Sequence, residues 1–292
     1  MFAAAAQYLV SGLTVGATYG LTGLGFTMIF NTTGIINFAQ GEFVMLGGMM
    51  SVFFRTWLGI DLFSAILLAV AVTALVGAAM ERLTIRPIQG SSPINLVIAT
   101  IGVSILIRGA AMLLWGKDTF SLPPFGKAAP IAIFGAAVQP QSLWALAITL
   151  ALLTALKLFF TASIHGKAML ACACNRKAAS LMGISVARMS LFSFALSAFT
   201  GAVGGAILAP ITMTSYDVGM MLGLKGFAAC ILGGLGNPFG AAVGGLLIGI
   251  MESFGAGYVS SAYKDAFAFV VLLLLLFVRP SGLFGKAGVE RV

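Results

Sequence analysis

Charge is what this sequence has least of: only 8% of its 292 residues are Asp, Glu, Lys or Arg, and His165 is the single histidine. Eight acidic residues spread over that length leave no paired carboxylates, no Ser/His/Asp set and no metal cluster, so catalysis within the chain is not expected. Three cysteines, Cys172, Cys174 and Cys230, do not make a disulfide framework. Cys172 and Cys174 stand two apart, but no nearby His, Asp or further Cys completes four ligands, and no metal is expected. The Gly-Lys pairs Gly116-Lys117, Gly126-Lys127, Gly166-Lys167 and Gly285-Lys286 are not followed by Ser or Thr, which excludes a phosphate-binding loop. No cofactor is expected on this chain. Its start carries no basic region ahead of the first apolar run, so the first helix is expected to be retained.

What is present is grease. Apolar residues make up 60% of the chain and the mean hydropathy is +1.08, values of the membrane class. The net charge of +8 is scattered by loop and not banded with aromatics, so nucleic acid is not an expected partner; in a membrane chain it reports orientation. The pattern predicts one all-α, polytopic membrane domain over residues 1–292, with about eight to nine apolar segments: 8–30, 43–58, 62–80, 94–115, 143–160, 189–210, 224–235, 239–258 and 267–278. Arg82 and Arg86 place the loop after 80 in the cytoplasm, as do Lys157, Lys167, Arg176, Lys177 and Arg188 for the densest basic cluster. Arg279, Lys286 and Arg291 put the tail there too. The connection 116–141, with Lys117, Lys127 and Asp118, the loop 211–221 with Asp217, and Lys264-Asp265 are expected outside. Gly12, Gly16 and Gly20, and again Gly201 and Gly205, recur at the spacing that lets helices approach closely.

Two places break the apolar pattern. Residues 31–42, Asn-Thr-Thr-Gly-Ile-Ile-Asn-Phe-Ala-Gln-Gly-Glu, are polar and glycine-interrupted, and the span 43–58 after them makes only about 24 Å of helix against a hydrocarbon core of about 30 Å. Part of the polar stretch must lie at membrane depth, where irregular backbone survives only inside protein or along a wet cavity. Asn31, Thr33, Asn37, Gln40, Gly41 and Glu42 are therefore candidate pathway residues. Glu42 reads equally as a pathway or hinge carboxylate and as an acid at a helix start, favoured by the dipole. The span 224–235 is shorter still, about 18 Å, and ends in Gly233-Gly234-Leu235-Gly236-Asn237-Pro238. Two short, broken segments in the two halves point to a pathway between repeated units. Aligning Gly20-Leu21-Thr22-Gly23 with Gly223-Leu224-Lys225-Gly226 sets the breaks opposite each other and suggests an internal repeat.

The cytoplasmic segment, residues 163–188, is the other constellation. Leu170, Cys174, Ala178 and Leu181-Met182 recur at helical spacing, with Asn175, Arg176, Lys177 and Ser180 elsewhere and Gly183 as a stop. It reads as a short helix outside the membrane, either docking on a partner or serving as a solvated connector.

Three motifs carry a family resemblance: residues 31–42, Ala-Cys-Ala-Cys-Asn-Arg-Lys-Ala-Ala-Ser-Leu-Met-Gly-Ile at 171–184, and Gly-Phe-Ala-Ala-Cys-Ile-Leu-Gly-Gly-Leu-Gly-Asn-Pro-Phe-Gly-Ala-Ala-Val-Gly-Gly at 226–245. With the closing Arg-Pro-Ser-Gly-Leu-Phe-Gly at 279–285, the chain resembles, nearly end to end, the LivH-type inner-membrane permeases of branched-chain amino acid ABC importers. The resemblance implies an importer of the bacterial inner membrane: two permeases, with a sister as this chain's partner, two cytoplasmic ATPases that bind ATP and magnesium, and a periplasmic binding protein. It also implies that 171–184 is the coupling helix, with Ala171, Asn175, Arg176, Lys177, Ala178, Ala179, Leu181 and Gly183 toward the ATPase. Leu170 and Cys174 depart from the Arg and acidic residue common there, and Gln40 from a common His. A passive channel predicts flux from this chain alone; an ion-coupled transporter predicts uptake driven by a gradient through Glu42. Neither accounts for the basic segment as well.

Overall fold

The computed structural model describes residues 2–126, 129–133 and 135–285. Lys127, Lys286 and Arg291, used above for orientation, lie outside them. The chain is a bundle of helices: α1 Phe2–Thr33, α2 Gln40–Val52, α3 Leu62–Met80, α4 Pro93–Trp115, α5 Pro140–Ala162, α6 Ile164–Cys174, α7 Arg176–Leu181, α8 Val186–Thr212, α9 Val218–Gly233, α10 Pro238–Tyr258 and α11 Lys264–Val278. A π-helical turn, Phe53–Trp57, extends α2, and a second, Glu81–Ile85, extends α3. The only strands among the described residues, β1 Ile131–Ile133 and β2 Ala136–Val138, form an antiparallel hairpin between α4 and α5. Six helices are long and apolar enough to cross a membrane, and α9 is a shorter apolar one; the eight to nine segments of the sequence also count α2 and α11.

Local chemistry explains where several helices begin. Pro93, Pro140 and Pro238 each occupy the first turn, where a missing N–H costs nothing. Asp61, Ser92 and Asn237 cap α3, α4 and α10 by accepting from the backbone N–H of Ser64, Asn95 and Gly240.

Small residues then set the packing. A methyl group on Gly16 would sit 2.8 Å from the Gly245 carbonyl oxygen, and one on Gly12 would sit 2.7 Å from Ile250 Cα, so the predicted glycine stripe of α1 lies directly on α10. The second stripe behaves alike: Gly205 abuts the Val44 carbonyl of α2, and Gly201 abuts Phe43. Helices α1, α2 and α8 are largely enclosed, whereas α3, α4 and α5 turn most of their surface outward.

The molecule has two distinct ends. At one, the start of α1 reaches the hairpin, where Ala137 N donates to Gln7 Oε1 at 2.9 Å, and Phe120 pairs with Thr214 across the loop between α8 and α9. At the other, the ends of α1 and α9 meet α6, α7 and the segment after α11. Arg82, Arg86, Arg176, Lys177, Arg188 and Arg279 belong to this basic end.

Three differences from the sequence expectation bear on the candidate site. Helix α2 starts at Gln40, not at residue 43, because Gln40 and Glu42 find partners inside the protein. Helix α9 starts at Val218, so the outer loop shrinks from 211–221 to 213–217. The single helix expected in 163–188 is two, because Asn175 takes an extended conformation (φ −156°, ψ 108°) and its side chain caps α7 by accepting from Ala178 N.

Candidate functional site

The first break re-enters the protein. Helix α1 ends at Thr33, and Gly34, at φ +73°, reverses the chain. Six residues later the Gln40 amide donates to the Ser197 carbonyl at 3.2 Å, and the Ser197 hydroxyl lies 2.5 Å from Gln40 Oε1 and 2.9 Å from the Gly25 carbonyl. Gly25 is two turns before the end of α1, so Gln40 sits about 12 Å back inside the molecule. The polar side chains of this stretch serve its backbone, as a water-free surrounding demands. Thr33 Oγ1 accepts from Ile35 N, Asn37 Oδ1 accepts from Ala39 N, and Phe38 N donates to Thr100 Oγ1 on α4. Gly41 has a different reason: a methyl there would run into the Gly219 carbonyl and reach 2.7 Å from Gly223 Cα, so the backbones of α2 and α9 touch.

The second break is joined to the first. Gly233 ends α9, Gly234 and Gly236 take positive φ of 103° and 92°, and Asn237 caps α10. Asn31 Nδ2 donates to the Gly236 carbonyl at 2.8 Å, tying the end of α1 to this turn. The segment after α11 closes over it: Leu283 N and Phe284 N donate to the carbonyls of Leu232 and Gly233, orphans of the α9 terminus. The residue pairs equated by the repeat alignment also touch, Gly23 against Gly226 and Thr27 Oγ1 3.1 Å from Cys230 Sγ.

The basic segment reaches the same place. Arg176 Nη1 donates to the Thr33 carbonyl at 3.0 Å, so the first residue of α7 holds the last residue of α1. Ala179 and Cys172 pack inward with Met169 and Met189, and Ala171 borders them; burial pushes the Cys172 thiol up. Lys177, Ala178 and Leu181 face outward, with Leu170, Cys174 and Met182. Leu181 and Met182 are 88% and 83% exposed, an apolar tip outside the bundle. Gly183, at φ +83°, stops α7. Cys172 is buried and Cys174 exposed, so they share no ligand position, and no group of three or more His, Cys, Asp or Glu gathers among the described residues.

Glu42 lies at mid-depth against α4. Its Oε1 accepts from Ser104 Oγ at 2.8 Å and from Arg108 Nη2 at 3.0 Å, while Oε2 faces Gly219 with no hydrogen-bond partner. Each charge at the centre of a span costs about 2.5–3.5 kcal/mol on insertion scales, which pairing offsets in part. A second cluster joins α1, α9, α10 and the first turn of α11: Lys225 Nζ donates to Glu252 Oε1 at 2.9 Å and to Tyr19 at 3.1 Å, and lies 2.6 Å from Asp265 Oδ1.

A membrane bundle with two linked helix breaks and a polar segment docked on one of them is the architecture of a transport subunit, and the comparisons specify which. The family described as branched-chain amino acid transport system / permease component matches residues 8–276. This chain belongs to that family. It is 34% identical to the high-affinity branched-chain amino acid transport system permease protein BraD of Pseudomonas aeruginosa, covering 98% of this chain and 97% of the relative. It is 33% identical to LivH of Escherichia coli K12 with the same coverage, and 27% identical to a probable LivH of Methanocaldococcus jannaschii, covering 91% and 88%. Among solved structures, PsaBC from Streptococcus pneumoniae in complex with Fab aligns with a TM-score of 0.51 at 15% identity over 94% of this chain and 92% of that one, a likeness of fold.

In this permease the candidate residues of both breaks and of the basic segment meet at one end, except Gln40, Gly41 and Glu42, which lie deeper. Sequence reading missed Ser104, Arg108, Lys225 and Glu252. Their signal was available: a lone charge inside an otherwise uncharged span, and a serine one helical turn before the arginine. The bond from Arg176 to the α1 carbonyl had no such signal, because any backbone carbonyl looks alike in sequence.

Proposed function

We propose that this permease pairs with a sister permease to form the passage of a bacterial inner-membrane importer for branched-chain amino acids. Two cytoplasmic ATPases, holding ATP and magnesium, dock on the apolar tip and basic surface of α6 and α7, and a periplasmic binding protein delivers solute at the hairpin end. The basic end, with the segment after α11, faces the cytoplasm, since Lys and Arg concentrate there. The relatives' names supply the solute class; this chain supplies the linkage.

The observation that carries the reading is the Arg176 bond to Thr33. Closure of the ATPases moves α6 and α7, Arg176 transmits the displacement to the end of α1, and Asn31 passes it to the turn at Gly236. Both breaks then reorient together, because charged-donor bonds of this kind resist separation. The test is uptake by the assembled importer in proteoliposomes. Arg176→Ala is expected to lower leucine uptake at least tenfold with the complex still assembled; uptake within twofold of the unaltered importer rules out this linkage.

A further inference from the structure

Beside Glu42, α4 and the first turns of α9 turn charged and apolar side chains to one outward face of the permease. Arg108 stands on the α4 side. Its side chain keeps 27% of its surface exposed, although it stands in the middle of a span with no other charge. Hydrocarbon does not tolerate a guanidinium there, so this face meets water or protein, as the wall of a passage between two permeases does. The guanidinium is held from behind: Nη2 is fixed by Glu42 and Ser104, and Nη1 lies 3.7 Å from Met220 Sδ on α9. Arg108 Nε is itself buried, and Glu42, only 1% exposed, cannot reach a solute. This is an arginine oriented by a buried carboxylate, with Nη1, whose partner in the protein is a weakly accepting thioether sulfur, left to meet a solute.

Helix α9 supplies the other side of this face. Met220 and Leu224, four residues apart, are exposed along one stripe, and Phe227 continues it down to Phe38 in the first break. One turn before Met220 stands exposed Asp217, whose side chain accepts a hydrogen bond from Ser215. The face therefore offers a cation, an anion and an apolar stripe, a set of groups that complements a zwitterion with a branched side chain.

We propose that Arg108 receives the carboxylate of a transported aliphatic α-amino acid in mid-passage, that Asp217 receives its ammonium group, and that Met220 and Leu224 line its side chain. Glu42 and Ser104 are positioning residues that present the guanidinium. The proposal rests on the importer reading above and adds the side chains that touch the solute.

The test uses the full importer with its binding protein in proteoliposomes, with radiolabelled leucine as probe, scored as leucine moved per ATP hydrolysed. Arg108→Gln is expected to lower this ratio at least tenfold while binding-protein-stimulated hydrolysis continues. Glu42→Gln combined with Arg108→Gln separates the roles: a merely structural ion pair tolerates joint neutralisation, whereas a solute contact stays lost, so the double variant is expected to remain as poor as Arg108→Gln. Asp217→Asn, which keeps its bond to Ser215 and lies in no ion pair, is expected to lower the ratio at least fivefold in a normally folded complex. Recovery of the double variant to within twofold of the unaltered importer, or an unchanged ratio in Asp217→Asn, overturns the assignment. Absence of ATP-dependent uptake by the unaltered importer overturns the importer reading itself, and that result is distinguishable from the other two.

Discussion

Two charged clusters link the helices of this permease, and they are built differently. Lys225 and Glu252, with side chains 7% and 9% exposed, are enclosed by α1, α9, α10 and α11; Tyr19 donates to Glu252 Oε2, and the lysine meets the carboxylate through both its oxygens. The Glu42–Arg108 pair is sealed on its carboxylate side only. The arginine keeps 27% of its side chain exposed, and its Nη1 meets only the sulfur of Met220 within the protein. A cluster whose members mostly satisfy one another has little left to offer a solute and acts to fix helices. One with spare donors at an open face retains chemistry for something that passes.

Breaking the closed cluster carries the largest expected effect. Lys225→Met removes the closest cation from Glu252, leaving it Tyr19 and the half-exposed Lys264 at 3.8 Å, a cost of about 3 kcal/mol, and folded yield and the thermal midpoint of the solubilised permease should fall sharply. Joint replacement with Glu252→Leu should recover part of that loss, because the most buried carboxylate goes with the lysine, while Asp265, whose side chain is 37% exposed, loses its partner. The open pair should respond less in stability and more in transport. Glu42→Gln gives up charge-assisted bonds for about 2 kcal/mol, with a smaller fall in the thermal midpoint than Lys225→Met, while leucine moved per ATP drops several-fold. If stability fell as far as in Lys225→Met, the contrast between the clusters would be gone. Smallest is Asn31→Ala, which removes one bond between the two breaks for about 1 kcal/mol in thermal unfolding and sharpens whether their linkage matters beyond stability.

The helix breaks were legible because membrane depth makes polar, glycine-rich sequence expensive, so residues 31–42 and 233–238 stood out against their surroundings. The glycine stripes were legible for the same kind of reason: Gly12, Gly16 and Gly20 recur at the period of a helix face, and α10 lies on them. The split of the basic segment was hidden because Leu170, Cys174, Ala178 and Leu181 keep helical spacing across Asn175, and a one-residue cap leaves that period nearly intact. All four remain on the outward side, so the face was read correctly from a helix that is not continuous.

Composition and periodicity alone determined that the chain is a helical membrane protein and where two of its apolar segments break, since these follow from the cost of water-seeking groups in hydrocarbon. Which charges pair was decided only by tertiary structure. Glu42 and Arg108 are 66 residues apart, Tyr19 and Glu252 are 233 apart, and Arg176 and Thr33 are 143 apart. Such partners are chosen by how helices cross, and the crossing is set by backbones meeting at glycines whose neighbours the linear order does not name.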